Sequence, residues 1–296
     1  MTHDAGRYRR YSDAVHELAR PSLFDDRPCY RPTAIAWTGT RGQLRFDRTT
    51  YFTALDVCEA LAHEHAEAWL ANGQQPPSAS QLPFRGAVRD PFDFLRRPMA
   101  MSINTLTMRR TESGTATVLL HKRNAAAVAS AGGMYHVIPA GTFQPSSATQ
   151  WVEDLDLWRN IMREMSEELL GRPEHDPDDT GGVDYTAEPY RSLDQARRAG
   201  RLRAVCLGIV VEPLTWWVEA QTVVVVDAHG FDDIFGTVAA HNEEGDLVAE
   251  DGPDQISVGI PFTADSMRRL ARTPLAPVAF HLLQTAWLHR ADLLSG

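Results

Sequence analysis

Apolar and polar positions along the chain fall into two periods, and those periods set out the architecture. "AMSINTLTMRR" (residues 100–110) and "TATVLLHKR" (115–123) alternate apolar with polar, parted by a turn at Glu112 to Gly114, which predicts a β-hairpin. "MYHVIPAGTF" predicts a further strand that ends in a Pro-Ala-Gly corner. The 3.6-residue period then takes over. On a helical wheel Trp151, Leu155, Trp158, Met162, Met165 and Leu169 share one side, predicting one long helix that packs its apolar stripe on a sheet. Strand candidates follow at "RAVCLGIVV", "WWVEAQTVVVVD" and "QISVGIPF", and the chain closes in helical "ADSMRRLARTP" and "APVAFHLLQTAWLHRADLL".

Towards the N-terminus, "PTAIAWTGTRGQLRFD" predicts two short strands around a turn at Gly39 to Gly42. "TYFTALDVCEALAHEHAEAWLANG" predicts an amphipathic helix with Leu55, Val57, Cys58, Leu61, Ala62, Ala66 and Leu70 on its inner face. His63 and His65 stand two apart, on different faces, and are expected to be surface residues. "NGQQPPSASQLPFRG" (Asn72 to Gly86) predicts a linker or long loop. The expected organisation is a strand/helix unit over residues 1–85 and a larger domain over 96–296. Strands interspersed with few helices predict an α/β/α sandwich around a mixed sheet, not a doubly wound parallel one.

Composition narrows the class. Of 296 residues 43% are hydrophobic and 23% charged, as in an ordinary globular protein. No run of apolar residues is long enough for a membrane span, and the charged N-terminus has no apolar core for a signal peptide. Cys29, Cys58 and Cys206 lie far apart with no metal-ligand spacing, so a reducing, cytoplasmic setting is expected. A formal charge of −10 argues against a nucleic-acid groove, which needs a basic footprint.

Chemistry concentrates in "LWRNIMREMSEELLG", Leu157 to Gly171. Glu164, Glu167 and Glu168 fall opposite the apolar stripe with no lysine or arginine among them. They also sit in the last turns, where the helix dipole disfavours acids. Such a face is either solvated, as most charged runs are, or built around a divalent cation. All-carboxylate ligands suit Mg²⁺ or Mn²⁺, and magnesium sites commonly share their ion with substrate phosphates.

"REMSEELLG" closely resembles the core of the Nudix box, G-x5-E-x7-R-E-U-x-E-E-x-G-U, where U is a bulky aliphatic. Arg163 and Glu164 match R-E, Met165 matches U, and Glu167 and Glu168 match E-E. "YHVIPAGTF" resembles the approach to the box, with Gly141 as its first glycine. The match is imperfect. From Gly141 to Arg163 the step is 22, eight more than the pattern has. The family's first glutamate, which mainly supports the loop, falls at Leu155, with Glu153 and Asp156 nearby but out of register; the final glycine falls at Leu170, one place before Gly171.

The resemblance implies a hydrolase that cleaves a diphosphate linkage with Mg²⁺ or Mn²⁺. Glu164, Glu167 and Glu168 would be the metal ligands and catalytic acids, with Arg163 and Gly141 as structural support. The general base in this family is a box glutamate or a later loop acid, for which Glu243 and Glu244 are the alternatives. Arg123, Tyr135 and His136 are the candidate substrate contacts, and Trp216 with Trp217 could stack on a ring or simply pack. The partner expected is a small-molecule diphosphate such as a nucleoside diphosphate derivative, with neither nucleic acid nor membrane. A homodimer is possible through the first unit. The alternatives are a ligand-binding or regulatory module on the same fold and a specialised biosynthetic phosphohydrolase.

Overall fold

Alternation over residues 100–123 produces the hairpin it predicts, but its second run divides at Leu119 into two short strands of different sheets, in a computed structural model that describes residues 7–124, 132–175, 181–236, 245–248, 250–251, 256–257 and 259–295. The chain divides into two units, Met1–Met101 with Val210–Val218, and Ser102–Ile209 with Glu219–Gly296.

In the first unit α1 (Tyr11–Leu18) precedes an antiparallel hairpin of β1 (Pro28–Thr38) and β2 (Arg41–Thr50). Both strands run several residues beyond the short pair expected. Gly39 turns the hairpin at φ +59, a left-handed conformation that favours glycine. α2 (Tyr51–Ala71) starts where the Thr50 hydroxyl accepts the Thr53 N–H. It buries Ala54, Leu55, Cys58 and Leu61, whereas Leu70 is exposed, so the expected inner face holds only for the first three turns. The Asn72–Gly86 stretch is not all loop: a 3₁₀ turn (Ala79–Gln81) leads into α3 (Pro83–Val88), where proline at the first position suits a helix start.

The second unit is an α/β fold of three layers. Its main sheet contains β3 (Met101–Arg110), β4 (Ala116–Val118), β7 (Ala140–Thr142), β8 (Leu202–Val211), β9 (Val218–Asp227) and β13 (Ile260–Pro261), and runs in the order β13-β4-β3-β9-β8, with β7 also paired to β3. A smaller sheet joins β5 (Leu120–Arg123) to β6 (Tyr135–Val137) and β10 (Gly245–Val248); β11 (Glu250–Asp251) pairs with β12 (Ile256–Ser257). The strand predicted over 134–143 is thus two short ones, flanking the cis Ile138–Pro139 peptide.

Helices lie on both faces of the main sheet. Leu106 and Met108 of β3 and Val223 and Val225 of β9 pack with residues of α7 (Ala264–Leu270), α8 (Pro277–Leu288) and α9 (Arg290–Leu294). On the other face Arg109 of β3 pairs with Asp232 (2.9 Å) of α6 (Ala228–Phe235). α6 adjoins α5 (Tyr190–Arg198), which adjoins α4 (Leu157–Glu164), and α4 lies on β7. Because both faces are covered, β9 is buried along nearly its whole length and shows little alternation.

Two features place the glutamate segment. β3 holds the Pro139 corner, since Thr105 N–H donates to Pro139 O and the Thr107 hydroxyl to Ile138 O, each at 2.8 Å. The helix above it is shorter than expected: α4 starts at Leu157, with the Asp156 carboxylate accepting the Trp158 N–H (2.8 Å), and passes into a π-turn over Met165–Leu169. Trp151 and Leu155 therefore precede the helix, and Leu155 is exposed; they are not part of its apolar stripe.

Candidate metal and active site

The π-turn decides where the acids point. Closing the chain to the fifth residue, where an α-helix closes to the fourth, places one extra residue in the turn and shifts everything after Glu164 around the axis. Met165 and Leu169 remain in the core, yet Glu168 is also drawn inward and is only 4% exposed. Glu164 is 8% exposed, and Glu167 is half-buried. Two of the three acids thus lie against the sheet, so the solvated-face interpretation does not describe Glu164 or Glu168.

β7 receives both. Ala140 N–H donates to Glu168 Oε1 at 2.8 Å. At Gly141, a Cβ would lie 2.3 Å from Glu164 Cδ and 2.3–2.4 Å from its carboxylate oxygens. Any side chain at Gly141 would have to displace the Glu164 carboxylate, which occupies that volume. Asn160 Nδ2 approaches Glu164 Oε1 at 3.4 Å from one turn earlier.

Arg163 braces the loop. It is 4% exposed, donates to Asn160 Oδ1 (2.8 Å), to the Gln144 carbonyl and to the Tyr185 hydroxyl, and pairs with Asp154 at 3.4 Å. Asp154, 1% exposed, accepts from Ser146 N–H (2.7 Å), Ser146 Oγ (2.5 Å) and the Tyr185 hydroxyl (2.6 Å). Burial pushes the Tyr185 hydroxyl up, which keeps it protonated as a donor. The carboxylate supporting the long loop is therefore Asp154. The motif spacing, counted back from Arg163, falls on Leu155, one residue after Asp154, so the motif alone does not single it out. The available signal was an aspartate two residues before the Asp156 helix cap.

The other candidates are dispersed. His136 lies opposite His121 on the β5–β6 ladder, with ring centroids 6.1 Å apart, and His121 Nδ1 is 3.6 Å from Glu168 Oε2. Burial first, and the Arg123 charge second, push His136 down to about 3, so it is neutral; its Nδ1 lies 3.0 Å from the Val137 carbonyl. His121, not anticipated from sequence, is also kept neutral, by burial first, then by His136 and Arg123. Arg123 ends β5, half-buried, with its backbone N–H on Met134 O. Tyr135 packs on the opposite face, against the core shared by α7, α8 and α9. Trp216 and Trp217 are buried in the first unit, Trp216 under the Arg85 guanidinium (4.7 Å) and Trp217 near Tyr51 (6.0 Å). Glu243 and Glu244 lie outside the described residues. Also in the first unit, His63 is exposed and 3.3 Å from the Tyr11 hydroxyl.

The donor set, three carboxylates on one turn beside a space kept by glycine, suits a hard divalent ion in kind. Among the described residues, however, no three His, Cys, Asp or Glu side chains are gathered closely enough to hold one as they stand. No helix among those residues is long and apolar enough to cross a membrane.

No family model matches the chain, nor does any curated protein. Solved structures similar to it include a Nudix hydrolase from Alicyclobacillus acidocaldarius, 16% identical over 67% of this chain and 96% of that one, with a TM-score of 0.36. A mutT/nudix family protein from Listeria innocua is 16% identical over 65% and 94%, with a TM-score of 0.33. The MutT protein from Methanosarcina mazei Go1 is 15% identical over 68% and 99%, with a TM-score of 0.31. Superpositions this loose set no residue of this chain against a residue of theirs.

Proposed function

We propose that the second unit is a divalent-metal-dependent hydrolase of the Nudix type, cleaving the diphosphate linkage of a nucleoside diphosphate derivative or similar organic diphosphate. The observation that carries this is the burial of Glu164 and Glu168 on one turn, against the backbone of Ala140 and Gly141. Burying two carboxylates so close together is costly unless positive charge is supplied. In the R-E-M-S-E-E setting, Mg²⁺ or Mn²⁺ supplies it.

Glu164, Glu167 and Glu168 would hold the ion. Held by these residues, a divalent ion would supply charge neutralisation to the diphosphate and would acidify water bound to it. The chain's own part is positional. Ala140 N–H orients Glu168, Gly141 leaves room for Glu164, and Arg163 with Asp154 and Tyr185 holds the long loop in place. Glu243 and Glu244 remain alternatives as the base. We assign the protein to the cytoplasm, with a small-molecule diphosphate as its partner.

One observation favours a second reading, a ligand-binding module of the same fold. The acids are not gathered into a three-ligand group among the described residues. A panel of organic diphosphates with Mg²⁺ or Mn²⁺ separates the two. A hydrolase releases phosphate products from at least one member and loses that release in Glu167→Gln. A binding module releases none, and its ligand affinity changes little in that variant.

A further inference from the structure

His121 is a buried polar residue of the second unit that the proposed chemistry does not use. It is 1% exposed, and among the described residues neither ring nitrogen has a hydrogen-bond partner. A neutral imidazole carries one N–H, and leaving that donor buried without an acceptor is costly. The ring is fixed from behind by the β5–β6 ladder, where His121 faces His136 edge-to-face. On its other side Nδ1 stands 3.6 Å from Glu168 Oε2, an approach just beyond a hydrogen bond. Glu168 Oε1 already accepts Ala140 N–H from the neighbouring strand.

We propose that His121 is a positioning residue for Glu168, donating its ring N–H to Oε2 so that imidazole and Ala140 N–H together fix the direction in which this carboxylate is presented. Each carboxylate oxygen has two acceptor sites, so accepting one N–H does not by itself close that oxygen to a ligand. The same logic operates where outer groups orient the residues that bind a metal, and losing such a group typically costs 10- to 100-fold in metal affinity. His136 is excluded from this role by its Nδ1 contact with the Val137 carbonyl. The proposal rests on the metal-site reading above for its consequence, but not for the contact itself.

The test has two arms on the full chain. In the first, Mn²⁺ is titrated by electron paramagnetic resonance into wild type, His121→Phe and His121→Gln. Phenylalanine keeps the ring and removes the donor, and about a tenfold loss of affinity is expected; glutamine restores a donor and should recover most of it. Unchanged affinity in a folded His121→Phe overturns the proposal and leaves the metal site standing. In the second arm, ¹⁵N-imidazole spectra of wild type and Glu168→Gln are compared without metal. The His121 Nδ1 resonance should move when the carboxylate charge is removed, and a resonance that stays in place overturns the proposal whatever the first arm gives. Wild type that binds no Mn²⁺ refutes the metal-site reading instead, and the imidazole spectra then decide the contact alone.

Discussion

Asp154→Ala tests the loop brace, and its size follows from the structure. Asp154 and Arg163 are 1% and 4% exposed and pair at 3.4 Å. Removing one partner of a buried pair leaves the other charge uncompensated, at about 3–5 kcal/mol. Arg163 keeps acceptors at Gln144 O and Asn160 Oδ1, which argues for the lower end, about 3 kcal/mol. Ser146 N–H and the Tyr185 hydroxyl also lose their acceptor. Asp154→Asn keeps an acceptor oxygen but no charge and should cost roughly half as much. Equilibrium urea unfolding measures both, with Arg163→Met and the double variant completing a cycle. The double variant should be no worse than Asp154→Ala alone, because the stranded charge is gone. A loss below about 1 kcal/mol in Asp154→Ala, the range of an exposed pair, would refute the brace.

Gly141→Ala should cost less than about 2 kcal/mol, because what must move is the end of a flexible side chain. It should nevertheless weaken Mn²⁺ binding at least tenfold, read by calorimetry. Equal affinity would show that Glu164 does not need that space. In the first unit burial, with Glu212 second, raises Glu59 to about 7. A raised carboxylate binds its proton more tightly folded than unfolded, so stability is full below about pH 4.5 and falls as pH rises through about 7. Urea midpoints between pH 5 and 8 should show that loss in wild type and a flatter profile in Glu59→Gln.

Much of the architecture was legible because the second unit obeys its periods. β3 alternates between a core of Leu106 and Met108 on one face and Thr105 and Thr107 on the other, and α8 buries Val278, Leu282 and Leu283 at helical spacing. α5 escaped notice because only Leu193 and Ala196 are buried, too few apolar residues for a period to show. The site was legible in identity and not in geometry. Arg163, Glu164, Glu167 and Glu168 announce themselves by residue type, but a wheel drawn at α-helical pitch cannot show the π-turn. Glu168 points inward because Ala140, 28 residues earlier, offers its N–H there. His121 and Asp154 carried no local pattern. Each is placed by a partner distant in sequence or by a helix start that moved.

The central claim is that the acids of the π-turn segment gather a divalent ion. Crystals of the full chain soaked in Mn²⁺ and measured at the manganese edge test it without a substrate. The account predicts an anomalous peak ligated by carboxylate oxygens of Glu164, Glu167 and Glu168, beside Gly141. A map with no peak there, and Glu168 still turned to Ala140 and His121, would contradict it.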